Sequence, residues 1–218
     1  MNALICGHLQ LHFEKNPIAA FFPLLQSGFC VEVGTGNLQK ILCRICDIKN
    51  EEVRDRIQTV FLNGKPVDDM ETVFVEDGDC LALSAAMPGL VGATMRSGGV
   101  LAGFRQSISH RPPQTRSSPR GGMLSIKLFN LLIKEIGPRL LQQGILVGVD
   151  DLPNLLATIL VVDRENCKTA RLNTHMIDIE ALPETDWPKG PGLIHLKVTF
   201  GPSPGMASPH SNLSRKSG

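Results

Sequence analysis

No stretch of this chain approaches the ~18 consecutive apolar residues that a membrane-spanning helix needs. The apolar excursion from Ile18 to Leu25 is short and contains Pro23. The opening MNALICGHLQ has neither the basic flank nor the cleavage pattern of a secretory signal, so a cytoplasmic protein is expected, with no membrane partner. Six cysteines without such a signal do not suggest a disulfide framework, and reduced thiols follow. Gly89, Gly92, Gly98, Gly99 and Gly103 match neither a Walker A loop nor a dinucleotide fingerprint. Ser84 and Ser97 lack the G-x-S-x-G context of an activated serine. No catalytic residue and no cofactor is therefore nominated.

Charge is also nearly absent as a net quantity, at +1, but it is unevenly spread. Residues 1–104 carry 8 Lys/Arg against 12 Asp/Glu, residues 105–120 carry four Arg and no acid, and residues 121–218 carry 10 against 9. The segment HRPPQTRSSPRGG, His110 to Gly122, is rich in Pro, Ser, Arg and Gly and reads as a flexible basic linker. Its arginines have no interleaved aromatics, so nucleic acid is not an expected partner. Apolar residues make up 42% of the chain, enough for a core. These observations divide the chain into a first domain at 1–104, a linker at 105–122, a second small α+β domain at 123–200, and a disordered tail at 201–218.

Within the first domain, Leu9, Leu11 and Phe13 alternate along an opening strand, and FCVEV, 29–33, reads as a second strand antiparallel to it. Asn37 is a plausible N-cap for a helix with Leu38, Ile41, Leu42 and Ile45 on one face. TVFLN ends in Asn63-Gly64, a reversal signal because both residues tolerate positive φ. Asp77-Gly78-Asp79 precedes a strand from Cys80 to Ser84, with a short strand near 72–75 before it. In the second domain Leu124, Leu128, Leu131, Leu132, Ile136 and Leu140 form a helical stripe, kinked at Gly137-Pro138. TILVVD and CKTARLN, on either side of DREN, read as a hairpin, and GLIHLKVTF as the last strand. FLNGKPVD (61–68) and RLNTHMID (171–178) echo each other, which reads as a chance likeness of two hairpins rather than a repeat.

The candidate chemistry is sparse. Cys43 and Cys46 have the C-x-x-C spacing of a metal or redox pair, but no second pair follows at finger spacing, and buried structural thiols explain them as well. Cys43, Cys46 and Cys80 mimic three ligands of a plant-type iron–sulfur site, whose first ligand position is Leu38 here. His8 and His12 are ~13 Å apart on a strand, too far to chelate together, and Cys6 and His8 share a face without an evident partner. His175 and His195 read as surface or strand residues. The aspartate pairs, Asp68-Asp69, Asp77/Asp79 and Asp150-Asp151, sit in turn or cap contexts.

The order VEVGTG, the Leu38/Ile41/Leu42 helix, VFLNGKPVD, the Asp77-Gly78-Asp79 turn before Cys80-Leu81-Ala82-Leu83, and the pair Gly98-Gly99 resembles the MoaD/ThiS-like, ubiquitin-like group of β-grasp sulfur carriers of molybdopterin and thiamine biosynthesis. The resemblance covers residues 1–100. It implies a β-grasp fold, and in that family the terminal glycine is adenylated and converted to a thiocarboxylate. Here 119 residues follow Gly99, so the same chemistry would first need cleavage. The expected function is therefore a non-enzymatic protein-binding or adaptor protein of sulfur-carrier stock. Its docking segment would be Pro88, Leu90, Val91, Met95 and Arg96, with Gly98 and Gly99 as the carrier-like tail. A processed sulfur carrier and a Cys43/Cys46 metal or redox protein are the alternatives. An adenylating enzyme or another enzyme of those two pathways is the partner that the resemblance implies.

Overall fold

The computed structural model describes residues 4–105, 107–110 and 121–201. The strands are β1 (Leu4–Phe13), β2 (Phe29–Val33), β3 (Thr59–Leu62), β4 (Lys65–Pro66), β5 (Cys80–Ser84), β6 (Gly122–Phe129), β7 (Ile145–Gly148), β8 (Cys167–Leu172), β9 (His175–Ile177) and β10 (Gly192–Phe200). The helices are α1 (Ile18–Ser27), α2 (Leu38–Cys46), α3 (Asn50–Arg56), α4 (Gly89–Met95), α5 (Leu132–Gln143) and α6 (Leu152–Asp163). The fold is mixed, as an α+β reading requires. The strands form a single mixed sheet in the order β4-β3-β5-β6-β2-β7-β10-β1-β8-β9. Most of the expected linker and nearly all of the expected tail lie outside the described residues.

One face of the sheet carries the core. Leu9, Leu11 and Phe13 of β1, Leu124, Ile126 and Leu128 of β6, and Ile194, Leu196 and Val198 of β10 are all buried, together with the apolar faces of α1, α2, α5 and α6. The residues between them, such as His8, Gln10, Ser125, Lys127, His195 and Lys197, stay half-buried or exposed on the other face. This is the period-two pattern of a sheet packed on one side.

The segments 1–104 and 123–200 interleave in this sheet. β5 runs parallel to β6 from Cys80↔Ser125 to Ser84↔Phe129. β1 runs parallel to β10 from Leu4↔Gly192 to Phe13↔Phe200. β2 lies between β6 and β7, antiparallel to both. The expected pairing of β1 with β2 is thus replaced, since β1 sits between β10 and β8. The helix α1 makes the link a crossover, which brings the chain back parallel and leaves room for other strands between.

The chain traverses the motif strand–helix–strand–helix–strand–strand–strand twice, from β1 to β5 and from β6 to β10, with α3 added in the first copy. FLNGKPVD and RLNTHMID occupy equivalent hairpins, β3–β4 and β8–β9, with Asn63 at φ 51° and Asn173 at φ 53°. Their likeness is structural rather than accidental. Both crossover helices also contain a proline, Pro23 or Pro138, and stop at a glycine whose N–H donates to Leu24 or Leu140.

Three local expectations are corrected. Residues 122–129 form β6 rather than the start of a long helix. Leu124, Ile126 and Leu128 satisfy a strand period as well as the helical stripe, and β5 and β2 supply main-chain partners on both sides. Asn130, at φ 56°, separates that strand from the helix that follows. TILVVD ends α6 instead of forming a strand, because Leu152, Leu155, Leu156 and Ile159 bury one helical face. The region near 72–75 contributes only an isolated bridge, Asn37↔Phe74.

Gly144, which ends α5, has φ 108°, and a Cβ there would lie 2.4 Å from His195 Nε2. Backbone and space both demand glycine. Gly144→Ala is expected to cost about 1–3 kcal/mol from backbone strain, with crowding added to it. Urea unfolding would measure this, and an unchanged midpoint would contradict the close packing of His195 on this residue.

Candidate functional site

The segment from Pro88 to His110 crosses the β4–β3–β5 end of the sheet and contains every residue that the sequence nominates for docking. Its first part is α4, and Val100–Arg105 forms a 3₁₀ turn. Glycine and small residues give this stretch little core of its own, so its position depends on polar anchors. Ser97 donates its N–H to Gln58 O at 2.8 Å and its hydroxyl to Val67 O at 2.7 Å. Gly98, at φ 61°, donates its N–H to Asp68 Oδ1 at 3.4 Å. Arg96 donates to Gln58 Oε1, and His110 donates its N–H to Pro66 O at 2.8 Å.

Arg105 is the strongest anchor. Its side chain is 3% exposed and is paired with Asp68, 2.7 Å from Nη2 to Oδ1 and 3.3 Å from Nη1 to Oδ2. Nη1 also donates to Ser109 Oγ at 2.8 Å, Nη2 to Arg96 O at 3.2 Å, and Nε to Thr94 O. These five contacts match the five N–H donors of a guanidinium. A buried charge is tolerable only when satisfied in this way. One side chain therefore ties α4, the Arg96–Gly98 bend and the Ser109 turn to the exit of β4.

The anchored segment holds apolar side chains in solvent. Leu90 is 74% exposed, Val91 67%, Val100 99% and Phe104 84%. Pro88 and Arg96 are exposed too, and Met95 is half-buried. Gly98 is exposed and Gly99 half-buried, with the Gly99 N–H donating to Arg96 O and the Gly99 carbonyl accepting from Ala102 N. Beneath them, a cavity of about 520 Å³ is lined by Thr59, Met87, Gly92, Gly98, Gly99 and Leu101. A second cavity of about 400 Å³ lies on the other side of Arg96, against Arg54, Asp55, Ile57, Gln58 and Met70. The buried hydroxyl of Thr59 has no hydrogen-bond partner among the described residues.

The thiol candidates do not converge. Cys46 is buried under α2, and burial first, then the neighbouring Cys43, pushes its thiol up to about 12. Burial also raises Cys43, whose Sγ donates to Asn50 Oδ1 at 3.5 Å. Thiols held protonated in this way are poor nucleophiles. Cys80 lies on the opposite face of the sheet, in a row with Ser125 and Cys30, so no iron–sulfur set assembles. The aspartates keep their turn roles: Asp77 Oδ1 accepts from Met123 N, and Asp79 accepts from Asn63 and Glu76. Sequence reasoning missed the pairing of Asp68 with Arg105 and that of His8 with His195. Neither has a spacing signature, since each joins residues far apart in the chain that only the tertiary fold brings together.

Two outcomes follow from the anchors. Arg105→Leu leaves the partly exposed Asp68 and the carbonyls of Thr94 and Arg96 without their donor and is expected to cost about 1–3 kcal/mol, with amide exchange accelerating across 89–105 before the central strands. Uniform acceleration over the whole chain would contradict a local clamp. His110 is held below its ordinary value of 6.5 by burial and then by Lys65, against an opposing pull from Asp79. The stability linked to this depressed value is full above 6.5 and is lost as the pH falls through the folded value. His110→Gln should remove that acid sensitivity from the 97–110 amides. Comparison of the chain with family models, with curated proteins and with solved structures gives no match.

Proposed function

We propose that this is a non-enzymatic protein-binding protein that docks a partner through Pro88–Phe104. The observation that carries the reading is the exposure of Leu90, Val91, Val100 and Phe104 on a segment fixed by Arg105. A flexible loop with the same side chains would lose their contribution in ordering entropy. A clamped one presents them ready for burial. Covering a leucine- or phenylalanine-sized side chain is worth about 1.5–3 kcal/mol, so two or three of these residues suffice for a specific contact. Arg96 adds a charged rim.

The resemblance of residues 1–100 to sulfur carriers supplies the partner class to try first, an adenylating enzyme of the molybdopterin or thiamine type. The run β2-β6-β5-β3-β4, with α2 between β2 and β3, is compatible with a β-grasp ancestry in which β6 stands beside β5. Activation as a carrier would require a free carboxylate at Gly99. Both main-chain groups of Gly99 are engaged in the folded turn, which favours docking by the intact chain.

Leu90→Asp/Phe104→Asp should leave thermal unfolding unchanged, because both side chains are in solvent, and should weaken capture of a partner from the native host roughly 30-fold or more. Equal capture by the wild type and this variant would end the docking proposal. Intact mass of the native protein separates it from the carrier reading, for which the major species would end at Gly99.

A further inference from the structure

β10, the last described strand, runs parallel to β1, the first, and there His8 stands directly opposite His195. The ring centroids are 5.3 Å apart with planes inclined by 59°. Both rings lie on the face away from the helices, since their neighbours Leu9 and Leu196 are fully buried on the other. The two imidazoles contact each other, and neither ring nitrogen has a hydrogen bond among the described residues. His195 is fixed in place by its packing against Gly144, where a Cβ would come within 2.4 Å of Nε2 and 2.6 Å of Cε1. Just before His8, the register of β1 shifts between Ile5 and Gly7 and makes Cys6 the extra residue of a bulge. Bulges of this kind re-aim neighbouring side chains.

We propose that His8 and His195 form a binding site for a borderline divalent transition ion of the zinc, nickel or copper class. Imidazole nitrogen suits these ions, whereas magnesium and calcium prefer oxygen. The spacing agrees with the chemistry. An ion ~2.0–2.1 Å from one nitrogen of each ring would be roughly 3 Å from each ring centre, which puts the centres ~5 Å apart at a tetrahedral angle. His12 belongs to a different contact, with its Nδ1 2.9 Å from Thr199 Oγ1. The Cys6 thiol is directed to Leu4 O at 3.4 Å. No group of three or more His, Cys, Asp or Glu among the described residues could hold a metal ion, so water completes the coordination. The site is open and exchangeable. An ion seated there ties β1 to β10.

The test uses the untagged full-length protein, stripped with a chelator and titrated with zinc chloride by calorimetry, with thermal unfolding recorded at each step. One ion per chain should bind, with a rise in Tm that magnesium does not produce. His8→Gln and His195→Ala should each weaken zinc binding roughly 100-fold, because a two-point attachment becomes a single one. His175→Ala, on an exposed strand, should bind zinc like the wild type. His8 is exposed, so His8→Gln should fold with an unchanged metal-free Tm, and this keeps the result readable if His195→Ala is unstable. Zinc binding retained in both His8→Gln and His195→Ala would overturn the proposal. So would equal loss in His175→Ala, or a Tm rise of the same size with magnesium.

Discussion

The parallel seam between β1 and β10 is the constraint on which the rest of the molecule depends. It pairs the first described strand with the last over its whole length, from Leu4↔Gly192 to Phe13↔Phe200. Such a pairing closes a very long loop and forms only if the intervening chain is already folded compactly. A second parallel seam, β5 with β6, joins the two copies of the strand–helix motif at their junction. Each copy therefore borrows a central strand neighbour from the other. The crossover helices α1 and α5 then meet closely, with a Cβ at Gly137 coming 2.9 Å from both Ile18 and Leu25 side chains. A core of this kind cannot be divided at the expected linker without exposing the buried faces of β2, β6 and β10.

The same arrangement decides where function can be placed. One face of the sheet is committed to packing, and the outermost strands, β4 and β9, are short, which leaves little unpaired edge for another chain to extend. What remains is the open face and the segment between β5 and β6. That segment lies between the two copies of the motif. It is freed from the repeated framework, is anchored by polar contacts in place of a core, and can afford exposed apolar side chains. The imidazole pair sits on the open face, at the seam itself, where the two copies touch.

Residues 59–84 were the most legible part of the fold. Asn63 adopts positive φ beside Gly64, and its side chain accepts from Cys80 N, so the hairpin and the Asp77-Gly78-Asp79 turn support each other locally. Asn37 caps α2 by accepting from Lys40 N at 3.0 Å, as its position suggested. The residues nominated for docking are largely exposed, and Cys46 is buried while Cys43 is half-buried beside Asn50. Patterns compatible with two periods misled the reading. Leu124, Leu128, Leu131 and Leu132 fit a helix, Leu124, Ile126 and Leu128 fit a strand, and only the vacancy between β5 and β2 selects the strand.

The amino-acid sequence by itself determined what depends on neighbouring residues: the turns, the caps, the alternation of β1 and β10, and the glycine-rich, small-residue character of 88–104. Those features act over a few bonds, through φ preferences and side-chain period. Tertiary structure decided which strands become neighbours, that two apparent domains share one sheet, that Arg105 finds Asp68, and that His8 faces His195. These contacts join residues far apart in the chain. Their free energy comes from burying a shared apolar face, and no local spacing records which strands will share it.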